Sequence, residues 1–234
     1  MSNEIIAPSC ARRLIKDIRS LVKDPLESEN IYYLHDDDNM LKGYAMIIGP
    51  PGSLYQNGAY FFELEYPPDY PFAPPVVTMY NLLEDNIRYH PNMYRTGKVC
   101  ISILNTWRGE KWTSCQSIRS VLLTMCMLLD DKPLLHEPGI TEKHHDFEKY
   151  NKIIEFKNLD VHCLQLAYDK IKLKPCFVPF LSRFKQYVEK HKMEIKDRLT
   201  KLADMNECSN ITTIVYNMKN VEVNYDKLIT FLSN

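Results

Sequence analysis

Glycine and proline are concentrated in the first 140 of the 234 residues of this chain. All seven glycines lie between Gly43 and Gly139, and ten of the fourteen prolines lie between Pro50 and Pro138. Both residue types interrupt helices and favour turns. The distribution therefore predicts a turn-rich region up to about residue 140 and a helical region after it.

The turn-rich region begins with an amphipathic pattern. Apolar residues recur at helical spacing from residue 9 to residue 23, and Ser9 is a candidate cap. Strand patterns follow at residues 31–35, 43–48, 59–66 and 76–80. A proline-rich stretch lies between the third and fourth of them, at residues 66–75. One helix followed by an antiparallel meander predicts an α+β fold rather than a doubly wound sheet.

A second helix is predicted at residues 116–129, with Thr113 or Ser114 as its cap. Residues 82–112 show little periodicity, and a loop of this length in a compact domain is usually functional or disordered. Its histidine, cysteine and aromatic content argues against disorder. Apolar spacing then predicts further helices, at residues 145–157, 159–171, 180–203 and after Asn224.

Composition excludes several classes of function. The formal net charge is −1 and no long run of lysine or arginine is present, so neither nucleic acid nor a membrane is expected as a partner. No apolar run approaches the length of a membrane span, and the first residues show no apolar signal core. The seven cysteines are odd in number, and no two lie within four residues of each other. This pattern predicts reduced thiols in a cytoplasmic or nuclear protein, and it lacks the paired spacing of a zinc site, so no metal site is expected. No cofactor is expected either.

One motif concentrates the chemically useful residues. The tripeptide His90-Pro91-Asn92 stands seven residues before Cys100, and an apolar run and Trp112 follow the cysteine. This combination resembles the active-site signature of ubiquitin-conjugating enzymes, whose fold is called the UBC fold. Upstream segments resemble that family's second and third strands and its proline-rich loop: Gly49-Pro50, Phe61 to Leu64, and Tyr66 to Pro75. The resemblance covers residues 8–150.

A longer segment between the cysteine and Trp112 refines this resemblance. The residues Gly97-Lys98-Val99-Cys100, the pair Trp107 and Trp112, and Glu137-Pro138-Gly139 are similar to the class Z branch of the family. That branch carries a helical C-terminal extension. The resemblance implies a UBC fold with an N-terminal helix, a four-stranded antiparallel meander and a central helix. It divides the chain into a catalytic core at residues 1–150 and a helical extension at residues 151–234, packed on or beside that core.

The resemblance also implies that Cys100 is an acyl carrier. Its thiolate would accept ubiquitin, or a ubiquitin-like protein, as a thioester from an activating enzyme that uses ATP. The acyl group would then pass to a substrate lysine or to a ligase cysteine. For this role the sulfur of Cys100 is expected to lie exposed beside the Asn92 amide. Asn92 either donates to the oxyanion, an interaction typically worth about 3 kcal/mol, or only closes a turn.

Two loop residues are candidates for acting on the incoming lysine. The resemblance implies an acidic or polar residue on the loop after the second helix, near the cysteine. Matching Pro138 to the family's proline makes Glu137 the first candidate and His136 the second, for orienting or deprotonating the amine. The alternative is a charge that is simply solvated. His90 and Pro91 are expected to have a structural role in the motif.

The resemblance further implies surfaces for two partner proteins. Basic residues of the first helix would meet the activating enzyme, although a solvated helix face explains them equally well: Arg12, Arg13 and Lys16. Residues of two loops would meet a ubiquitin ligase: Phe72, Thr113 and Ser114. Ser114 stands where many members have proline, which puts binding of a standard RING-type ligase in question, and Ser102 stands where many have aspartate.

Two other functions compete with the carrier. A catalytically inactive UBC-fold binding module would keep the fold, but inactive relatives typically lack the cysteine, and Cys100 is present. A cysteine hydrolase would pair Cys100 with His90 or His136 and with Asn92. No strand-to-helix elbow and no hydrolase signature surrounds the cysteine, which argues against that reading.

Overall fold

The computed structural model of the protein describes residues 6–83 and 86–233. The prediction that the chain starts without a signal core rests in part on residues 1–5, which lie outside the described residues. The described chain forms two compact units. The first unit contains residues 6–47, 61–80 and 92–128, and the second contains residues 48–60, 81–83, 86–91 and 129–233. The division into domains at residue 150 stays a prediction.

Helix α1 of the first unit spans Pro8–Lys23. It begins with proline, whose fixed φ suits the first turn and whose missing N–H would be unpaired there in any case. The predicted cap at Ser9 is wrong, because the N-cap is Ala7 and Ser9 already lies inside the helix. The buried face carries Leu14 and Leu21, as the apolar spacing predicts.

Four strands form one sheet in the order β1-β2-β3-β4. Their bounds are Ile31–His35, Lys42–Ile48, Ala59–Glu65 and Val76–Tyr80. The two outer pairs are antiparallel, with Ile31 opposite Ile47 and Phe61 opposite Tyr80. The predicted four-stranded meander and the α+β class are therefore confirmed.

Helix α2, Ile118–Leu128, packs against α1. Neither Thr113 nor Ser114 caps it, contrary to the prediction, because the helix begins later in the chain. Instead Ser117 and Ser120 bond reciprocally. The Ser117 N–H donates to the Ser120 hydroxyl over 2.8 Å, and the Ser120 N–H donates to the Ser117 hydroxyl over 3.4 Å. This exchange satisfies donors that a helix start otherwise leaves unpaired.

After residue 140 the described chain is mainly helical, as predicted. Helix α3 leads into a π-helical segment, and three more helices follow: α3 Phe147–Lys157, the π-helix Asn158–Gln165, α4 Val178–Lys190, α5 Lys192–Met205 and α6 Tyr225–Ser233. The predicted single helix at residues 180–203 is in fact two helices, because the chain bends at His191. Two short strands, β5 Ser209–Ile211 and β6 Val221–Val223, were not predicted. Among the described residues, no helix has the length and apolarity required to cross a bilayer.

The π-helical segment fits closely against residues 56–60. Asn158 accepts a hydrogen bond from the Tyr60 hydroxyl and donates to the Gln56 carbonyl, both over 2.9 Å. His162 stacks on the Tyr60 ring with centroids 4.1 Å apart. A Cβ atom at Gly58 would lie 1.9 Å from the Asn158 side chain, so only glycine fits there.

Candidate active site

A small hairpin leads to Cys100. The N–H of Tyr94 donates to the carbonyl of Lys98 over 2.9 Å, and the N–H of Gly97 donates to the carbonyl of Tyr94 over 2.8 Å. The returning arm joins β4, because Val99 donates to the Val77 carbonyl over 3.3 Å. Cys100 therefore follows a backbone segment that the sheet of the first unit holds in place.

Gly97 makes this docking on β4 possible. Its φ is +88°, in the region that favours glycine. Its carbonyl accepts a hydrogen bond from the Met79 N–H over 2.7 Å. A Cβ atom at this position would lie 2.6 Å from the Met79 carbonyl oxygen, so any other residue would push the hairpin away from the strand.

Asn92 and Cys100 are bonded in both directions. The Cys100 N–H donates to the Asn92 carbonyl over 2.8 Å, and the Asn92 side-chain amide donates to the Cys100 carbonyl over 2.6 Å. Both residues are buried. The structure therefore brings the predicted nucleophile and the predicted donor together, and it shows the amide in a structural contact. Donation to an oxyanion stays a prediction.

Thr106 holds the same loop from the other side. Its hydroxyl accepts a hydrogen bond from the Ile101 N–H over 3.0 Å and lies 3.2 Å and 3.4 Å from the carbonyl oxygens of Ile101 and Val99. Sequence reasoning missed this residue, because Thr106 lies in an aperiodic segment and has no motif of its own. The backbone on both sides of Cys100 is thus fixed by side chains.

The expectation of an openly exposed sulfur is wrong for this structure. Cys100 is only 4% exposed, and the side chains of Asn92 and Thr106 hold the backbone of its loop. A groove of about 330 Å³ borders the loop, with Val99 and Leu104 in its lining beside residues of β4. Acylation therefore needs either the small exposed part of Cys100 or a displacement of the loop.

The residues implied to bind a ligase lie near one another. The Trp112 indole N–H donates to the Pro71 carbonyl over 2.7 Å, which joins the loop of Phe72 to the loop of Thr113 and Ser114. Phe72 is 73% exposed, and Thr113 and Ser114 are also exposed. Their use by a ligase stays a prediction.

The three basic residues of α1 differ in their contacts. Arg12 and Lys16 are exposed. The Arg13 guanidinium bonds to Asp17 over 2.9 Å and donates to the backbone carbonyls of Ser114, over 2.5 Å, and Gln116. Arg13 therefore has a structural task within the first unit, and binding of an activating enzyme by any of the three stays a prediction.

In the second unit, His136 lies beside a carboxylate and a second histidine. Its Nε2 is 2.7 Å from an Asp130 oxygen, and both side chains are 34% exposed. The ring of His90, which is fully buried, lies 4.9 Å from the His136 ring. Arg88 donates to the carbonyls of His90 over 3.0 Å and of the buried Pro91 over 2.5 Å.

Glu137 is bound by a residue that the sequence analysis did not single out. The hydroxyl of Tyr216 donates to the Glu137 carboxylate, and the guanidinium of Arg88 lies 5.0 Å from the centroid of the Tyr216 ring. Nearly eighty residues of chain separate Tyr216 from Glu137, and no periodic pattern connects them. Only the tertiary structure reveals this contact.

One group of side chains has the composition of a metal site. His144, His145 and Asp146 bring potential ligand atoms within 4.8 Å of one another. The buried Asp146 carboxylate, however, accepts hydrogen bonds from the backbone N–H groups of Ile214 and Val215, over 2.7 Å and 2.8 Å. Its evident task is to anchor that segment of the chain.

Three other thiols that are buried or half-buried are poor nucleophiles. Desolvation raises the pKa of the buried Cys163 to about 12, and it also raises the pKa of the buried Cys10 and the half-buried Cys126. A neutral thiol reacts slowly, because the thiolate is the nucleophile. Of the cysteines within the two units, Cys100 is the one that the sequence motif and its hydrogen bonds single out.

In the first unit, a cysteine lies beside an asparagine on a hairpin that packs against a four-stranded meander. This α+β arrangement has the architecture of the UBC fold. A family model described as "Ubiquitin-conjugating enzyme" matches residues 13–158. The chain belongs to the ubiquitin-conjugating enzyme family.

Individual relatives confirm the predicted class Z-like branch. The chain is 35% identical over 202 residues to "Ubiquitin-conjugating enzyme E2 Z" of Homo sapiens. The alignment covers 84% of this chain and 56% of the relative. The chain is 33% identical over 200 residues to the protein of the same name from Danio rerio, covering 84% and 60%. It is also 35% identical over 145 residues to "Dual E2 ubiquitin-conjugating enzyme/E3 ubiquitin-protein ligase BIRC6" of Homo sapiens, covering 59% and 3%. The chain thus spans little more than half the length of the E2 Z relatives.

Proposed function

We propose that this protein carries ubiquitin, or a ubiquitin-like protein, as a thioester on Cys100. The acyl group arrives from an activating enzyme and leaves to a substrate lysine or a ligase cysteine. Membership of the family supports the general activity. The observation that carries the assignment to this cysteine is the two-way bonding of Asn92 and Cys100 on the docked hairpin.

The chemistry of each step follows from the thiol. In charging, the Cys100 thiolate attacks the activating enzyme's thioester, a new C–S bond forms, and the activating enzyme's sulfur leaves with the electron pair of the old bond. In transfer to lysine, the amine nitrogen forms the amide bond and the sulfur of Cys100 leaves as a thiolate. The amine must lose a proton in this step, and we assign its acceptance to the Glu137 carboxylate, with His136 as the second candidate.

Both steps pass through a tetrahedral oxyanion. The Asn92 amide is the proposed donor to that charge, either through the second of its two N–H groups or by leaving the Cys100 carbonyl. A preorganised donor of this kind is typically worth about 3 kcal/mol in the transition state. The short link between Asn92 and the Cys100 backbone supports this role, because it keeps the amide within reach of the reacting atoms.

The proposed partners are the modifier, an activating enzyme, a ligase and the substrate lysines. Three basic residues of α1 are proposed to meet the activating enzyme: Arg12, Arg13 and Lys16. Phe72, Thr113 and Ser114 are proposed to meet the ligase. The carrier itself is proposed to need no cofactor, since the activating enzyme consumes the ATP. We place the protein in the cytoplasm or the nucleus, where its thiols stay reduced.

A charging assay tests this function directly. The chain is incubated with ATP, ubiquitin or a ubiquitin-like protein, and each of several activating enzymes, and the products are separated with and without reductant. The expected result is a conjugate that reductant removes. Cys100→Ser should give an oxyester that survives reductant, and the matched variant Cys115→Ser, which removes an exposed thiol, should still give the thioester. If no combination of activating enzyme and modifier gives a conjugate, the proposal is rejected.

A further inference from the structure

Tyr216 adopts a backbone conformation that tyrosine rarely takes. Its φ is +61°, and the φ of the next residue, Asn217, is +51°. A left-handed conformation is strained for a residue with a side chain of this size. Such a conformation persists only when surrounding contacts hold it, so the contacts of this loop are informative.

The base of the loop is anchored by a buried carboxylate. Asp146, whose side chain is 1% exposed, accepts the N–H groups of Ile214 and Val215. The ends of the loop are also joined directly, because the Thr213 N–H donates to the Met218 carbonyl over 2.9 Å. These bonds fix the direction in which the Tyr216 side chain leaves the loop.

The ring of Tyr216 is placed by two further residues. The guanidinium of Arg88 lies 5.0 Å from the ring centroid, at cation–π distance, and the Tyr150 ring lies edge-on at 5.9 Å. Arg88 also donates to the backbone carbonyls of His90 and Pro91. The loop of Tyr216 is thereby connected to residues 88–91 of the same unit.

The hydroxyl of Tyr216 completes the arrangement by donating to Glu137. Glu137 itself follows a short helical turn, Pro133–His136, and its N–H donates to the Leu134 carbonyl over 3.1 Å. The backbone of Glu137 is therefore held by its own turn, while its carboxylate is held by Tyr216. A hydrogen bond to a charged carboxylate is among the stronger ones in proteins.

We propose that Tyr216 is a positioning residue, which holds the Glu137 carboxylate in the orientation that receives the amine during transfer to lysine. This inference rests on the proposed function. It assigns a task to the C-terminal helical region: the region supplies a side chain that orients the proton acceptor. Charging at Cys100 needs no amine and is expected to be independent of Tyr216.

The test uses Tyr216→Phe, which removes the hydroxyl and keeps the ring over Arg88. The charged chain is mixed with excess free lysine or excess free cysteine, and the single-turnover discharge rates are measured. Loss of one hydrogen bond to a carboxylate is expected to slow discharge to lysine about tenfold. Discharge to cysteine and the rate of charging should stay within about twofold of the wild type.

A double-mutant cycle separates positioning from general damage. Glu137→Gln should slow discharge to lysine, and adding Tyr216→Phe to Glu137→Gln should cause little further loss, because the carboxylate to be positioned is already gone. Tyr187→Phe is the matched control, since it removes a tyrosine hydroxyl that donates to Asn57 over 2.9 Å in the same unit. Its discharge rates should equal those of the wild type.

The outcomes are distinct. The inference is overturned if Tyr216→Phe discharges to lysine at the wild-type rate. It is also overturned if Tyr216→Phe slows discharge to lysine and discharge to cysteine by the same factor. A loss that adds fully to that of Glu137→Gln also overturns it, because the hydroxyl would then act independently of the carboxylate. A wild-type chain that cannot be charged at all rejects the proposed function instead, before any variant is compared.

Discussion

The side-chain amide of Asn92 donates a hydrogen bond to the backbone carbonyl of Cys100, eight residues further along the chain, over 2.6 Å. The return bond, from the Cys100 N–H to the Asn92 carbonyl, is 2.8 Å long. The asparagine of the motif therefore shapes the cysteine loop before any acyl group is bound. Its structural and chemical roles can be separated by measuring stability and rate on the same variants.

Replacing Asn92 by alanine should lower stability as well as activity. The buried Cys100 carbonyl would lose its side-chain donor, and an unpaired buried group costs about 1–3 kcal/mol. The free energy of unfolding in urea should fall by that amount, and alkylation of Cys100, followed by mass spectrometry, should become faster. Asn206→Ala is the control, because Asn206 donates to the Leu202 carbonyl over 2.8 Å at a more accessible site. An unchanged free energy of unfolding for Asn92→Ala would contradict the structural role.

Replacing Gly97 by alanine should displace the cysteine hairpin from β4. The new Cβ would lie 2.6 Å from the Met79 carbonyl oxygen. Gly52→Ala is a close match, because Gly52 has a similar φ of +80° and no atom within 4 Å of the added Cβ. Both variants carry the backbone strain of about 1 kcal/mol, and only Gly97→Ala carries the clash. Charging assays and thermal unfolding should show a clear loss for Gly97→Ala alone, and equal losses would refute this account of Gly97.

The basic residues of α1 should divide into two groups when each is changed to alanine. Arg13→Ala should lower the free energy of unfolding by about 1–3 kcal/mol, because two backbone carbonyls lose a charged donor. Arg12→Ala and Lys16→Ala change exposed residues and should leave stability within about 0.5 kcal/mol of the wild type. If Arg12 and Lys16 meet the activating enzyme, that enzyme should show a higher KM for each of these two variants than for the wild-type chain. Arg13→Lys, which keeps the charge without the forked geometry, should recover little of the lost stability.

The stability of the protein should decrease on acidification because of His162. Desolvation by burial lowers the pKa of His162 to about 4, against the hydrogen bond to the Ala59 carbonyl, which raises it. The unfolded chain binds this proton with a pKa near 6.5, so the contribution of neutral His162 is fully present above pH 6.5. It is lost progressively as the pH falls from about 6.5 towards 4, by an amount on the order of 3 kcal/mol.

Urea unfolding at a series of pH values measures this slope. His162→Asn keeps a donor for the Ala59 carbonyl and cannot titrate, so its slope between pH 6.5 and 4 should be shallower than that of the wild type. Identical slopes for His162→Asn and the wild type would show that His162 does not govern the acid response.

Local patterns predicted most of the regular structure. The strands at 31–35 and 76–80 have the predicted bounds, because turn residues and apolar alternation delimit them on both sides. The caps were predicted less well, since Pro8 starts α1 before Ser9, and Ser117 with Ser120 starts α2 after Ser114. The break at His191 carries no glycine or proline, and the helical spacing continues through it, so no local signal indicated it.

In the candidate site, too, local motifs were predicted from the sequence and long-range contacts were not. The cysteine, the asparagine and the branch of the family follow from motifs in the sequence, because the chemistry of the site requires particular residue types at particular spacing. The contacts of Thr106 with Ile101, of Arg88 with His90 and of Tyr216 with Glu137 do not follow from spacing. Each depends on where a loop without periodicity places a polar side chain.

The amino-acid sequence alone determined the α+β class, the order of the strands and the choice of Cys100 as the candidate nucleophile, since these depend on local backbone preferences, apolar periodicity and a compact motif. Tertiary structure alone decided that Cys100 is nearly buried, that Arg13 is bound to the loop of Ser114, and that Tyr216 reaches Glu137. The physical reason is the nature of the contacts. Burial and long-range hydrogen bonds result from packing segments that are distant in the chain, and no single segment encodes its partner.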